Sequence, residues 1–167
     1  WIPITDQDVT DVPDAPGNQN GIFGYGSGTS LTNIVSTAGV VATDVTGVGS
    51  TRNDLAACKF GGDKGIFGYG SGPTAVTNLV SNVGVVASDT SGVGTAREGP
   101  AACSYGTNFD KGIFGYGYTT LSMTNLVSNS GVVASDVTGV GTGRGFCGAC
   151  EYGDDKAIFA YGDTGSV

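Results

Sequence analysis

Few residues of this chain could do chemistry, and most of those recur at a fixed spacing. Its 167 residues include no histidine, which removes the commonest general base, the serine-hydrolase relay and most catalytic zinc sets. Glutamate occurs only as Glu98 and Glu151, and neither holds a recurring position, so a paired-carboxylate glycosidase site is not expected. The Gly-Tyr-Gly-Ser-Gly run ending at Gly72 lacks the lysine of a phosphate loop. No enzymatic activity is expected.

Cysteines, aspartates, arginines and tyrosines remain. Cys58, Cys103 and Cys150 are 45 and 47 residues apart, and Cys147 is additional. An even count in a glycine-rich chain favours an oxidising compartment. Of the three connectivities, Cys58 with Cys103 and Cys147 with Cys150 is the preferred reading; a four-cysteine zinc site and free buried thiols are the alternatives. Asp44, Asp89 and Asp136 each precede an arginine (Arg52, Arg97, Arg144) by eight residues. The direct reading is a structural ion pair in each unit, because a buried arginine needs a partner. A ring of arginines gripping a carboxylate or sulfate is the sharper alternative. Asp6, Asp8, Asp11 and Asp14 crowd the N-terminal segment. They are calcium candidates by ligand type, although they lack the EF-hand spacing, and a solvated acidic linker is the simpler reading. No other cofactor is expected.

The elements that position these groups come from a tandem repeat. Asn20-Gly-Ile-Phe-Gly-Tyr-Gly26 returns at Lys64 to Gly70, at Lys111 to Gly117 and, altered, at Lys156 to Gly162. Phe23, Phe67, Phe114 and Phe159 lie 44, 47 and 45 residues apart, a period typical of one supersecondary unit stacked on its copies. Within the second unit, Ile66-Phe67-Gly68-Tyr69 reads as a strand with Phe67 and Tyr69 on one face and Gly68 cut back on the other. Val76 to Val80 reads as a second strand and Ser81 to Gly84 as a tight connection. Val85 to Ser88 reads as a third strand buried on both faces. Asp89 to Gly92 has the residues of a type I turn, and an Ala-Ala-Cys strand then closes the unit. Four short strands per unit and no helical periodicity predict an all-β fold.

The order Arg97, Ala101-Ala102, Asp110-Lys111-Gly-Ile-Phe-Gly-Tyr-Gly117 resembles a kelch-type β-propeller blade and, over about residues 20–162, the glycine-rich arrays of bacteriophage tail-fibre and virion proteins. Gly-Tyr-Gly stands where the kelch family usually has a double glycine, and the outer-strand tryptophan is missing. Three four-strand units and one surplus strand predict a propeller-like arc or an open stack; a pseudo-threefold β-trefoil is the alternative. The expected division is an acidic tail at 1–19, units at about 20–63, 64–110 and 111–155, a surplus strand at 156–162 and a short tail at 163–167. The surplus strand and Trp1 to Thr5 then read as complementary ends, and a strand donated from one subunit to the next would build a filament.

With 15 acidic against 7 basic residues the net charge is −8, which disfavours nucleic acid and anionic lipid as partners. No run reaches the about 18 apolar residues of a membrane helix. The expectation is a structural or adhesive protein, extracellular, on a cell surface or in a virion, that self-associates into a fibre by strand pairing. The alternative is a carbohydrate-binding module in which Tyr25, Tyr69, Tyr116 and Tyr161 stack on a surface glycan.

Overall fold

The computed structural model describes residues 19–118, 120–153 and 155–165. Among them the fold is all-β, with one 3-10 turn at Thr107–Phe109 as its only helical element. Strands β1 (Gly21–Gly26) and β2 (Thr29–Val35) form a first antiparallel sheet. The second contains β3 (Ala56–Phe60), β4 (Lys64–Gly68) and β5 (Thr77–Val80). A third contains β6 (Ala101–Tyr105), β7 (Lys111–Gly117) and β8 (Leu121–Val127). The last described sheet pairs β9 (Gly148–Tyr152) with β10 (Lys156–Ala160). These are separate small sheets, so the described strands do not form a single trefoil barrel.

Register repeats from sheet to sheet. Cys58 stands opposite Ile66, Cys103 opposite Ile113 and Cys150 opposite Ile158. Phe67 faces Asn78 across its pair as Phe114 faces Asn125. The Ala-Ala-Cys segment, Gly-Ala-Cys in β9, therefore opens the second, third and fourth sheets rather than closing the preceding ones, so the sheets do not coincide with the units expected above. The strand read as surplus, Lys156–Ala160, is accordingly paired with β9 within this chain. The N-terminal segment read as its counterpart lies outside the described residues.

Beyond β5 the chain turns at Gly84, whose φ of +81° suits a residue without a side chain. It returns as an extended segment joined by the isolated bridges Val80 to Val86 and Thr77 to Thr90. Only one of the adjacent valines is buried there, Val86 at 9% exposure against 64% for Val85. A strand at a sheet edge has one covered face, so the pair splits between core and solvent.

Packing between sheets explains the glycines of the repeated strand. A Cβ added to Gly68 would lie 2.7 Å from Phe114 Cζ, and one added to Gly24 would lie 3.0 Å from Phe67 Cζ. Gly115 meets the ring of Phe159 in the same way, at 2.9 Å. Each phenylalanine thus sits over a glycine of the preceding sheet, and its ring meets that sheet's tyrosine edge-on or tilted: Tyr25 with Phe67 at 5.1 Å, Tyr69 with Phe114 at 5.1 Å and Tyr116 with Phe159 at 5.5 Å. Tyr69 consequently shares a face with Gly68 and not with Phe67, against the strand alternation. Its φ of +64°, matched at Tyr25, Tyr116 and Tyr161, breaks the alternation at a cost of order 1–3 kcal/mol each. Phe60, Ile66, Tyr69, Phe114 and Val127 make the central core.

Candidate functional site at the sheet junctions

The charged residues of the repeat gather where one sheet meets the next. Arg52, 3% exposed, donates from Nε to the Tyr69 carbonyl (2.8 Å), from Nη1 to the Ser50 carbonyl (3.1 Å) and from Nη2 to Asn78 Oδ1 (2.6 Å). Its guanidinium also lies 4.4 Å from the centre of the Tyr25 ring. Arg97 repeats the stacking on Tyr69 at 3.9 Å, and Arg144 on Tyr116 at 4.8 Å. Arg52 and Arg97 are thus held between the tyrosine of the sheet they follow and the next sheet, where they lie against Gly70 and Gly117.

The aspartates complete the joint from the other side. Asp89 accepts hydrogen bonds from the Ser50 amide, at 3.0 Å to Oδ2, from the Ser50 hydroxyl (2.6 Å) and from Asn78 Nδ2 (2.9 Å). Asp136 accepts the same set from Thr95 and Asn125. The expected pairing of each aspartate with the arginine eight residues later is therefore replaced. Asp89 faces the connection that carries Arg52 and Asp136 the one that carries Arg97. Arg52 and Asp89 meet through a shared asparagine, Asn78. Asp44 bonds Asn33 Nδ2 at 2.8 Å. The asparagines and the Ser50, Thr95 and Thr142 positions were missed as functional residues; a hydroxyl residue two before every arginine was the available signal.

Burial would push the carboxyls of Asp89 and Asp136 up, but bonds from Ser50 or Thr95 and from the asparagines, with the nearby guanidinium, hold both below the ordinary 3.8. A depressed folded-state pKa stabilises the fold above the unfolded value and is lost as pH falls through the lowered one. Thermal melts from about pH 6 to about pH 2 should therefore show a steeper acid loss for wild type than for the Asp89→Asn/Asp136→Asn variant. Parallel curves would contradict this assignment.

The cysteines are free thiols, in place of the expected pairs Cys58 with Cys103 and Cys147 with Cys150. Cys58, Cys103 and Cys150 lie on β3, β6 and β9, which run beside one another, with Ser104 Oγ donating to the Lys59 carbonyl at 3.2 Å. Equivalent side chains in a stack point the same way and follow one another instead of facing. Cys58 Sγ sits against Gly112 of the next sheet, 2.5 Å from where a Cβ would stand. Burial pushes the Cys58 thiol up to about 12 and that of Cys103 to about 11. At about pH 8 a disulfide reagent should label exposed Cys150 first, with Cys58 and Cys103 at least about a hundredfold slower until the protein unfolds. Equal rates would contradict that burial.

Among the tyrosines considered for glycan stacking, Tyr69 is fully buried and presents no face, whereas Tyr161 is 88% exposed. Tyr25 and Tyr116 are already covered by Arg52 and Arg144. The calcium candidates Asp6, Asp8 and Asp11 lie outside the described residues. Among those described, no group of three or more cysteine, aspartate or glutamate side chains is placed to hold a metal. A cavity of about 270 Å³ between the first two sheets is lined by Ile22, Ile34, Ala57, Ile66 and Val80, with Lys59, Asp63 and Lys64 also on its wall.

No protein-family model and no curated protein matches the sequence. Similar solved structures exist. One is described as a novel fungal alcohol oxidase with catalytic diversity among the AA5 family, in complex with copper. The likeness has a TM-score of 0.50 at 12% identity and covers 71% of this chain and 28% of that one. This chain therefore spans less than a third of the oxidase, and what the two share is an arrangement of β-strands.

Proposed function

We propose that this chain is a structural or adhesive repeat module that self-associates through its sheet edges, in an extracellular filament or a virion fibre. The observation that carries the reading is the junction itself. Buried Arg52, Arg97, Tyr69, Phe67 and Phe114, with the exposed carboxylates of Asp89 and Asp136, are the groups best suited to recognition or catalysis, and they are spent on locking one sheet to the next. Sheets joined in this way resist shear, because sliding one past another must lift each ring off its glycine and break charge-assisted hydrogen bonds. The kelch-like and fibre-like likeness of the repeat belongs to the same proposal. The oxidase activity and copper of the structural neighbour are not carried over, since the likeness concerns strands alone.

Sedimentation velocity and negative-stain electron microscopy of the full chain test the proposal. Concentration-dependent association, with fibres or discrete oligomers, is expected. A chain that remains monomeric up to about 1 mM, weaker than most specific complexes, overturns it. A carbohydrate-binding module has less support, because Tyr161 alone among the four repeated tyrosines keeps an open ring face.

A further inference from the structure

Two junctions show what a complete joint contains. In each, a phenylalanine sits over a glycine, an arginine covers a tyrosine, and an aspartate of the following sheet, held by its asparagine, accepts from the serine or threonine two residues before that arginine. The third joint has only half of this set. Phe159 is in place over Gly115 and Arg144 covers Tyr116, but β10 is bonded on one side only among the described residues. Arg144 Nε is buried there without a hydrogen-bond partner; Nε and Nη2 of Arg97 also lack one in the second joint, where the Asp136 charge lies nearby, so what sets the third joint apart is the absent asparagine and aspartate and not the unpaired nitrogen.

The missing half occurs at the other end of the described chain. Asn33 on β2 and Asp44 behind it hold each other at 2.8 Å, with no serine or threonine donor on that carboxylate among the described residues. Strand β1, which precedes β2, is also bonded on one side only, and its Phe23 is 65% exposed. Residues 22–26 and 158–162 read Ile-Phe-Gly-Tyr-Gly and Ile-Phe-Ala-Tyr-Gly, so β10 can take the place of β1 on β2 without a change of register.

We propose, building on the self-association reading, that a second copy of this chain docks on the β10 edge by strand exchange. In the joint, β2 of the second copy leaves its own β1 and pairs with β10, so that the present partners Phe23 with Asn33 and Ile22 with Ile34 become Phe159 with Asn33 and Ile158 with Ile34. Residues 41–45 follow on the outer side. The order β9, β10, β2 and 41–45 is then that of the third sheet, in which β6, β7 and β8 are followed by the bridged Val133 and Val137. Asn33 of the second copy reaches the Arg144 guanidinium, and its Asp44 accepts from the Thr142 amide and hydroxyl. The charges are complementary, and the buried guanidinium gains an acceptor. Tyr161, now 88% exposed, takes the position of Tyr25 between Arg52 and Phe67 of the second copy. Exchange of a repeated element is a low-cost route to association, because β2 finds on β10 nearly the same pairing that it gives up on β1.

Ala160 opposes tight closure. It replaces the glycine of the other strands, and at Gly24 a Cβ would lie 2.9 Å from the Thr32 methyl and 3.0 Å from Phe67 Cζ, so both the threonine of the incoming β2 and the ring must give way. Ala160→Gly should therefore strengthen association.

Analytical ultracentrifugation of the full chain tests the assignment, with folding of every variant checked by circular dichroism. Asp44 and Thr142 are exposed, so Asp44→Ala and Thr142→Val should fold normally while weakening association at least about tenfold, as loss of a charge-assisted hydrogen bond does. Arg144→Ala should weaken it similarly. Mixing Asp44→Ala with Arg144→Ala chains should restore one joint and give a heterodimer that neither forms alone. Association of undiminished strength in these variants places the interface elsewhere; the strand exchange then fails while the self-association reading survives. Wild type that stays monomeric overturns both.

Discussion

Replacing Phe114 with alanine is expected to lower the unfolding free energy by about 3–5 kcal/mol, whereas Phe23→Ala should cost less than about 1 kcal/mol. The two residues hold the same place in the repeat, on the same Gly-Ile-Phe strand. They differ in surroundings: Phe114 is 0% exposed, packed on Tyr69 and seated over Gly68, whereas Phe23 is 65% exposed. Urea denaturation of both variants, at a shared m-value, measures the difference directly. Because the local sequences are nearly identical, propensity and unfolded-state effects largely cancel, and what remains is the contact between sheets. Equal destabilisation at the two positions would show that the stack contributes little.

The partner position gives the second large effect. Gly68→Ala places a methyl group 2.7 Å from Phe114 Cζ and 3.2 Å from the Thr77 methyl, in a sheet whose backbone is held on both sides by β3 and β5. Overpacking of this kind costs about 1–3 kcal/mol. The cause can be isolated. Phe114→Leu removes the ring atoms that the alanine meets, so Gly68→Ala should cost far less in that background than in wild type, a coupling measurable by a double-mutant cycle. Additive effects would mean that the glycine serves backbone conformation and not the approach of the ring. Ala160, at the same position in β10, is a natural comparison, since no described phenylalanine lies over it.

Much of the local structure was legible in the residues. The alternation in Ile-Phe-Gly placed Phe67 and Gly68 on opposite faces, and the cut-back face does receive something: the phenylalanine of the next sheet. The tight turn at Gly84 and the all-β class were readable for the same reason, that side-chain period and turn chemistry act over a few neighbours. Tyr69 was placed on the wrong face because nothing in its neighbours announces a left-handed tyrosine; stacking on Phe114 and on Arg97 compensates for the strain. At Val85 and Val86 the doubled valine suggested two buried faces, and the open sheet edge buries one.

The candidate site divides in the same way. That Asp89 and Arg52 belong to one structural device could be read from their recurrence; which partner each takes could not. In a chain of near-identical units, a contact within a unit and the equivalent contact to the next unit leave the same periodic trace. Asp89 with Arg97, eight residues on, and Asp89 with Ser50, 39 residues back, are equally consistent with the spacing. The same ambiguity set the Ala-Ala-Cys strand at the end of one unit when it begins the next sheet, and made Lys156–Ala160 look unpaired. The amino-acid sequence by itself determined the strands, their turns and the period, because these follow from local sterics and side-chain alternation. Tertiary structure alone decided the phase of the sheets, the partners of the buried charges and the direction of the cysteines, because each depends on which neighbouring unit closes over a given face.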